Sequence, residues 1–370
     1  MGNQIARIRF KKKSNQRSSR GILDDESIKN QALAMAKHEL YMASLSSQVK
    51  ALKETSMEPP RHSFSGKADY GRIEYKRSYS IQARRDIDSL LDPVPSMHLR
   101  KDRCMDVDLE SRHFVLVHGG GLGAWCWYKS IALLENSGFK ATAVDLMGSG
   151  IEPTDPNRVT SLVHYSKPLL DLLKKIKSTA GHEKVILVGH SIGGACLSYA
   201  MECFPELISK AIFIAATMVR NNQSAFDILA KHMQSPDALM AKAQIFIYGN
   251  GKQKTPTALL FDKNLTESLF FNTCPTKDVA LATHSMRPTP FAPAMEKLTL
   301  TDLNYGKVRR FYISTTADQA LPFPAQQMVI EDNPPERVFT LRGGDHCPFF
   351  SKPQSLHRIL LEIAYLNQKQ

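Results

Sequence analysis

Long apolar runs are missing from this 370-residue chain. No uninterrupted stretch reaches the ~18–20 residues that a bilayer-spanning helix needs, which excludes a transmembrane segment. Its six cysteines (Cys104, Cys126, Cys196, Cys203, Cys274, Cys347) show no CxxC pair and no metal-ligand spacing. That excludes a zinc ribbon or a dithiol motif, and neither a metal nor another cofactor is expected. The thiols read as reduced core residues of an intracellular protein. Tandem repeats, zinc-finger spacings and basic patches interleaved with aromatics are also absent. The net charge of +12 is therefore poor evidence for a nucleic-acid partner, and none is expected. The charge is uneven as well: residues 1–112 hold 22 Lys and Arg against 15 Asp and Glu, so a basic leader precedes a nearly balanced domain.

Acidic residues are missing from positions 1–23, which carry seven basic side chains (Arg7, Arg9, Lys11, Lys12, Lys13, Arg17, Arg20) and three serines. Without an apolar h-region this is not a secretory signal, and its composition is that of an organellar transit peptide. Met1-Gly2-Asn3 raises a second reading, N-myristoylation backed by Lys11–Lys13 as a peripheral membrane anchor, although Ala6 stands where that motif has Ser or Thr. A solvated tail on a cytoplasmic protein is the third. Ile28–Leu52 has apolar residues at helical spacing, and Pro59-Pro60 ends the pattern. Residues 1–112 are thus expected to be a largely disordered leader and linker with one amphipathic helix, and 113–370 the folded domain.

Within that domain apolar strands alternate with helix-period segments. FVLVHG, ATAVDL, VILVGH, LISKAIFIAA, KVRRFYIS and RVFTLRG read as strands. WYKSIALLENSG, Val159–Lys177, ACLSYAMECF, Ala325–Ile330 and LHRILLEIAYL read as helices. Such alternation predicts an α/β fold, a mostly parallel, doubly wound sheet. From about 217 to 306 the pattern breaks into Phe-, Met-, Tyr- and Pro-rich sequence, which predicts an inserted cap over the carboxyl ends of the strands.

Gly189-His190-Ser191-Ile192-Gly193 fits G-x-S-x-G between a strand and a helix. In that context the serine sits on a strained turn with Oγ exposed and the helix N-terminus beneath it. A serine hydroxyl needs a base, and the base needs a partner that fixes its tautomer. Asp318 and His346 each follow a later strand, in the order Ser, acid, His that the motif requires. Asp345 is a rival acid, disfavoured because neighbours in extended chain point to opposite sides. Cys347 is a rival nucleophile without a turn to present it. His118-Gly119-Gly120-Gly121 follows the first strand, where the N–H of Gly120 would join that of Ile192 as an oxyanion hole. The strongest competitor is a dinucleotide fingerprint, Gly119-x-Gly121-x-x-Ala124 with Asp145 as the ribose acid. It leaves Ser191, Asp318 and His346 as coincidences, and the bulky run Trp125-Cys126-Trp127-Tyr128 suits close helix–strand packing poorly.

HGGGLGAWCWYKSIALLENSGFKATAVDL, VGHSIGGACLSYAMECFPELISKAIFIAA, MRPTPF and GDHCPFFSKPQSLH together resemble the plant methylesterase branch of the α/β-hydrolases. The basic extension resembles that of the longer members, regarded as chloroplast-targeted. The resemblance implies a Ser191, Asp318, His346 triad, with Gly120 and Ile192 as backbone oxyanion donors. It also implies hydrolysis of a small-molecule methyl ester of a hormone such as salicylate, jasmonate or indole-acetate. Hydroxynitrile lyases of the same fold carry Thr near the first turn and Lys after the catalytic His, where this chain has Gly119 and Cys347. Some long members carry Asp at the elbow, where this chain has Ser191. Candidate pocket residues in the cap are Met218, Phe226, Phe270, Phe271 and Met286, each of which could equally be core. The alternative reading is a hormone receptor of this fold with little turnover. A homodimer is left open.

Overall fold

Val185–Val188 are apolar at four consecutive positions, as suits a strand covered on both faces, and they lie in the middle of the sheet. The computed structural model describes residues 109–179, 183–232 and 239–366. The expected transit segment, the helix over Ile28–Leu52 and most of the linker lie outside the described residues.

The strands in chain order are β1 (His113–Val117), β2 (Lys140–Val144), β3 (Val185–His190), β4 (Ile208–Ile214), β5 (Gln244–Ile247), β6 (Ala258–Phe261), β7 (Thr289–Pro290), β8 (Arg309–Thr315) and β9 (Arg337–Leu341). Six of them form a sheet in the order β2-β1-β3-β4-β8-β9, every neighbour parallel. Strands β1, β3 and β4 are buried at every position, whereas the edge strands β2 and β9 are partly exposed. The chain runs outward from β1 to β2, then crosses back to β3 on the other side of β1. That reversal opens a crevice at the carboxyl ends of β1 and β3, where an open α/β sheet binds its ligand. The Gly119–Gly121 turn and Ser191 both lie there.

The helix Leu162–Thr179 packs on the helix Gly193–Cys203 along one side of the sheet. It buries Leu162, Tyr165, Leu169 and Ile176 as its spacing predicts, with Leu173 rather than Leu172 completing the stripe. The expected single helix from Trp127 begins as a 3-10 turn, Ala124–Trp127, before the α-helix Tyr128–Asn136. At the C-terminal helix, Pro353–Tyr365, the carbonyl of Ala364 accepts 2.9 Å from Nζ of Lys210, a buried cation on β4.

Between β4 and β8 the chain leaves the main sheet. Among the described residues this excursion holds the helices Ala225–His232, Leu239–Ala243, Lys263–Phe270, Thr276–Ser285 and Ala292–Met295, with the small antiparallel sheet β5-β6-β7. Arg287 fastens it to the crevice. Its backbone N–H donates to the Gly121 carbonyl at 3.0 Å, and its guanidinium donates to the carbonyls of Gly150, Glu152 and Thr154 at 3.0, 2.6 and 3.4 Å.

Candidate active site

Ser191 has φ of 53°, a left-handed conformation that a non-glycine residue keeps only where its surroundings enforce it. The enforcement is visible in the backbone. The Ser191 N–H donates to Ile214 O at 3.2 Å, and its carbonyl accepts from Gly194 N and Thr217 N, each at 3.0 Å. The turn is also crushed against its neighbours: a Cβ on Gly193 would lie 2.5 Å from the His118 carbonyl, and one on Gly189 2.7 Å from Leu197 Cδ1. The helix Gly193–Cys203 starts directly beyond, with Ile192 as its first cap, so its positive end faces the serine. These are the features expected of the elbow.

Asp318 and His346 come from loops after β8 and β9, 28 residues apart in sequence, and meet through His346 Nδ1 and Asp318 Oδ2 at 2.8 Å. Both are buried. A carboxylate only accepts, so Nδ1 carries the proton and Nε2 keeps its lone pair. The carboxylate is itself fixed. Asp318 Oδ1 accepts from the N–H groups of Ala320 and Leu321, each at 2.8 Å, and Oδ2 from Thr315 Oγ1 and Gln326 Nε2, each at 3.2 Å. Gln326 also donates to the carbonyls of Leu321 (2.7 Å) and Thr315 (3.2 Å), and its Oε1 accepts from Thr315 N at 3.0 Å. The sequence reading did not single out Gln326, because a lone Gln on a helix carries no signal. It becomes visible only when the loop after β8 folds onto that helix.

His190 was likewise passed over. Its Nε2 donates to the His346 carbonyl at 2.7 Å, and its ring lies 4.6 Å from that of His346. Burial, reinforced by the His346 ring, holds its pKa well below the usual histidine range, so it stays neutral. The second residue of the elbow motif thus ties the His346 loop to the elbow.

The first glycine turn lies against both. A Cβ on Gly119 would come within 2.7 Å of His190 Nδ1 and 2.8 Å of Ser191 Cβ. His118 accepts the Leu146 N–H through Nε2 at 3.1 Å and donates from Nδ1 to the Gly119 carbonyl at 2.8 Å, which sets the direction in which the turn leaves β1. Gly120 and Ile192 lie side by side, 3.7 Å separating Ile192 Cγ2 from the Cβ position of Gly120. Asp145, the ribose acid of the dinucleotide reading, is spent on the protein. Its Oδ1 accepts the Ala124 N–H at 2.7 Å and its Oδ2 that of Ile151 at 3.3 Å. The glycines also lead into a 3-10 turn, and the α-helix begins only at Tyr128, seven residues after Gly121.

Asp345 is fully buried but turned away from the His346 ring. Its Oδ1 accepts from Cys347 N (3.1 Å) and Ser351 Oγ (2.7 Å), and its Oδ2 from Thr273 N (3.0 Å) and Cys274 Sγ (3.1 Å). Burial pushes the Cys347 thiol far up, away from the thiolate that a nucleophile needs. Of the cap candidates, Phe270 lies with its ring 5.4 Å from that of His346 and tilted by 36°, and Met286 Cε lies 2.7 Å from the Cβ position of Gly121. Phe271 packs against Phe270 and Phe350, and Phe226 edge-on against Phe291 at 5.9 Å. Met218 is buried, with its carbonyl accepting from Asn333. Phe270 and Met286 therefore adjoin the candidate groups, and the contacts of the other three are those of packing residues.

The alpha/beta hydrolase family matches residues 114–358. A protein of Arabidopsis thaliana named "Putative methylesterase 11, chloroplastic" is 55% identical over 291 residues, covering 79% of this chain and 73% of that one. Among solved structures, polyneuridine aldehyde esterase superposes with a TM-score of 0.63 at 34% identity, covering 69% of this chain and 99% of its own. Tomato methylketone synthase I complexed with 2-tridecanone gives 0.62 at 36% identity, covering 69% of this chain and 98% of its own.

Proposed function

The chain belongs to the alpha/beta hydrolase family, in its methylesterase branch, and from that premise we propose that it hydrolyses methyl esters of small carboxylic-acid plant hormones through Ser191, His346 and Asp318. It is a carboxylic ester hydrolase. The observation that carries the residue assignment is the His346–Asp318 contact of 2.8 Å, whose tautomer leaves Nε2 as the base; the strained turn of Ser191, at φ 53°, supports the choice of nucleophile.

His346 Nε2 takes the Ser191 proton as Oγ attacks the ester carbonyl. The oxyanion is held by the N–H groups of Gly120 and Ile192 at the helix N-terminus. The imidazolium, stabilised by Asp318, gives its proton to the departing methanol. Water, deprotonated by the same nitrogen, then attacks the acyl-enzyme and releases the acid and Ser191. The excursion between β4 and β8 acts as the cap, and Phe270 and Met286 give the acyl group an apolar wall. Phe226, Phe271 and Met218 shape that wall from behind. Residues 1–112 act as the leader, and the chloroplast is the proposed destination. The relative's name and the basic, acid-free start support that reading.

The test is release of free acid from methyl salicylate, methyl jasmonate and methyl indole-acetate by the parent and by Ser191→Ala. Repeated turnover of one ester, abolished in Ser191→Ala, is expected. Ligand binding with no turnover of any ester would overturn the reading in favour of a receptor.

A further inference from the structure

Thr289, on β7 of the small sheet, has a buried hydroxyl (the residue is 5% exposed) for which no hydrogen-bond partner exists among the described residues. A buried hydroxyl left unpaired is destabilising, and a valine would fill the same volume without that cost. The hydroxyl therefore adds no hydrogen bond to the fold among the described residues. Its surroundings say what it faces. A Cβ built on Gly120 would lie 3.2 Å from Thr289 Oγ1, 3.5 Å from Thr289 Cγ2 and 3.7 Å from Ile192 Cγ2. The Thr289 and Ile192 side chains thus both border the α-carbon of Gly120, which places the hydroxyl next to the two residues proposed to donate their N–H groups to the oxyanion.

The hydroxyl is also held in place. Thr289 pairs with Leu259 across the small sheet, and two residues before it Arg287 is fastened to the Gly121 carbonyl and to the loop over 150–154. Two residues after it, the Phe291 N–H donates to the Thr257 carbonyl at 3.0 Å. A donor positioned before the reaction, with no partner to give up, can strengthen its bond as charge develops on the ester oxygen.

We propose that the Thr289 hydroxyl is a third donor to the oxyanion, beside the N–H groups of Gly120 and Ile192. This rests on the Ser191 reading above. Its consequence is that the excursion between β4 and β8 supplies a catalytic group and not only a pocket wall. The position of that excursion then governs the rate of the chemical step as well as substrate choice.

The experiment uses the full chain with p-nitrophenyl acetate as substrate and diethyl p-nitrophenyl phosphate as a Ser-directed reagent whose phosphoryl oxygen takes the oxyanion's place. The variants are Thr289→Val, Thr289→Ser and Ser191→Ala. For Thr289→Val, kcat and kcat/KM should fall together by about 10–100-fold, as expected of a contact made only in the transition state. Phosphorylation should slow similarly, Tm should be unchanged or raised, and Thr289→Ser should recover most of the rate. Parent-like kinetics in Thr289→Val, with Ser191→Ala inert, would overturn this inference alone. So would a rise in KM at constant kcat, which marks ground-state binding, or a rate loss with lowered Tm that Thr289→Ser does not recover. A parent that reacts with neither probe would overturn the Ser191 reading and this inference with it.

Discussion

Five donors converge on the Asp318 carboxylate, and only one of them is the His346 ring. The other four keep the carboxylate from rotating away and so turn a flexible loop side chain into a fixed acceptor. Asp318→Asn is nearly isosteric, but its amide nitrogen can face His346 Nδ1, which moves the ring proton to Nε2 and removes the base. On the proposed mechanism kcat falls by about 10⁴, the loss that tautomer reversal causes in a serine triad, while Tm changes little. Steady-state kinetics with a thermal melt checks this, and retention of more than a tenth of the parent kcat would remove Asp318 from the proposed triad. Gln326 tests the support of that carboxylate. Gln326→Leu leaves the Thr315 N–H and the carbonyls of Thr315 and Leu321 without their partner inside the core. Each such group costs about 1–3 kcal/mol. A clear drop in Tm is expected together with a kcat loss smaller than that of Asp318→Asn. A loss equal to that of Asp318→Asn would mean that Gln326, rather than the four donors jointly, holds the acid in place.

Among the elements, the turn from β3 into the helix Gly193–Cys203 depends most sharply on single atoms. A Gly to Ala change inside a helix ordinarily stabilises by about 1 kcal/mol. At Gly193 the sign should reverse, because the new Cβ would sit 2.5 Å from the His118 carbonyl, a main-chain atom at the end of β1 that cannot swing aside. Gly193→Ala should therefore lower the denaturation midpoint and, by displacing Ile192 and Ser191, the esterase rate. An unchanged midpoint would show that the contact relaxes. This turn was legible in the sequence because its requirements are local: an apolar strand, small residues at fixed offsets, then helical spacing. The six main strands were legible for the same reason, and so was the pairing of Asp318 with His346, each placed after its own strand. The strands β5, β6 and β7 were not. They are four, four and two residues long, too short for a period-2 pattern to rise above the aromatic-rich sequence around them. Gln326 and Thr289 were illegible because what they face is assembled from other parts of the chain. Thr289 lies 169 residues after Gly120, and only the folded small sheet brings the two together.

At the scale of the whole molecule, three buried histidines among the described residues, His113, His118 and His190, lie along the carboxyl and amino ends of the central strands and have their pKa values lowered by the fold. Burial, helped by the charge of Lys140, lowers His113 from 6.5 to about 4. Burial likewise lowers His118, and it lowers His190 well below the usual range. In each case the folded value lies below the unfolded one. Through the interval between them the unfolded chain binds a proton that the native state refuses, so stability rises with pH there and is lost as pH falls. The window for His113 runs from 6.5 down to about 4. Denaturant midpoints should hence be flat above pH 7 and decline steadily below about 6.5, before the carboxylates protonate. His113→Gln isolates one contribution. The ring nitrogen Nε2 meets Thr142 Oγ1 at 2.9 Å, a bond that an amide can replace, while the amide cannot take up the proton. The variant should match the parent at pH 5 or exceed it, and the slope of stability against pH between 6 and 4.5 should be shallower by up to ~1.4 kcal/mol per pH unit, the limit for one proton. Parallel slopes in parent and variant would mean that His113 titrates normally in the fold. The acid loss would then have to come from His118 and His190, the two histidines that also hold the Gly119 turn and the His346 loop, and activity would fail over the same pH range as stability.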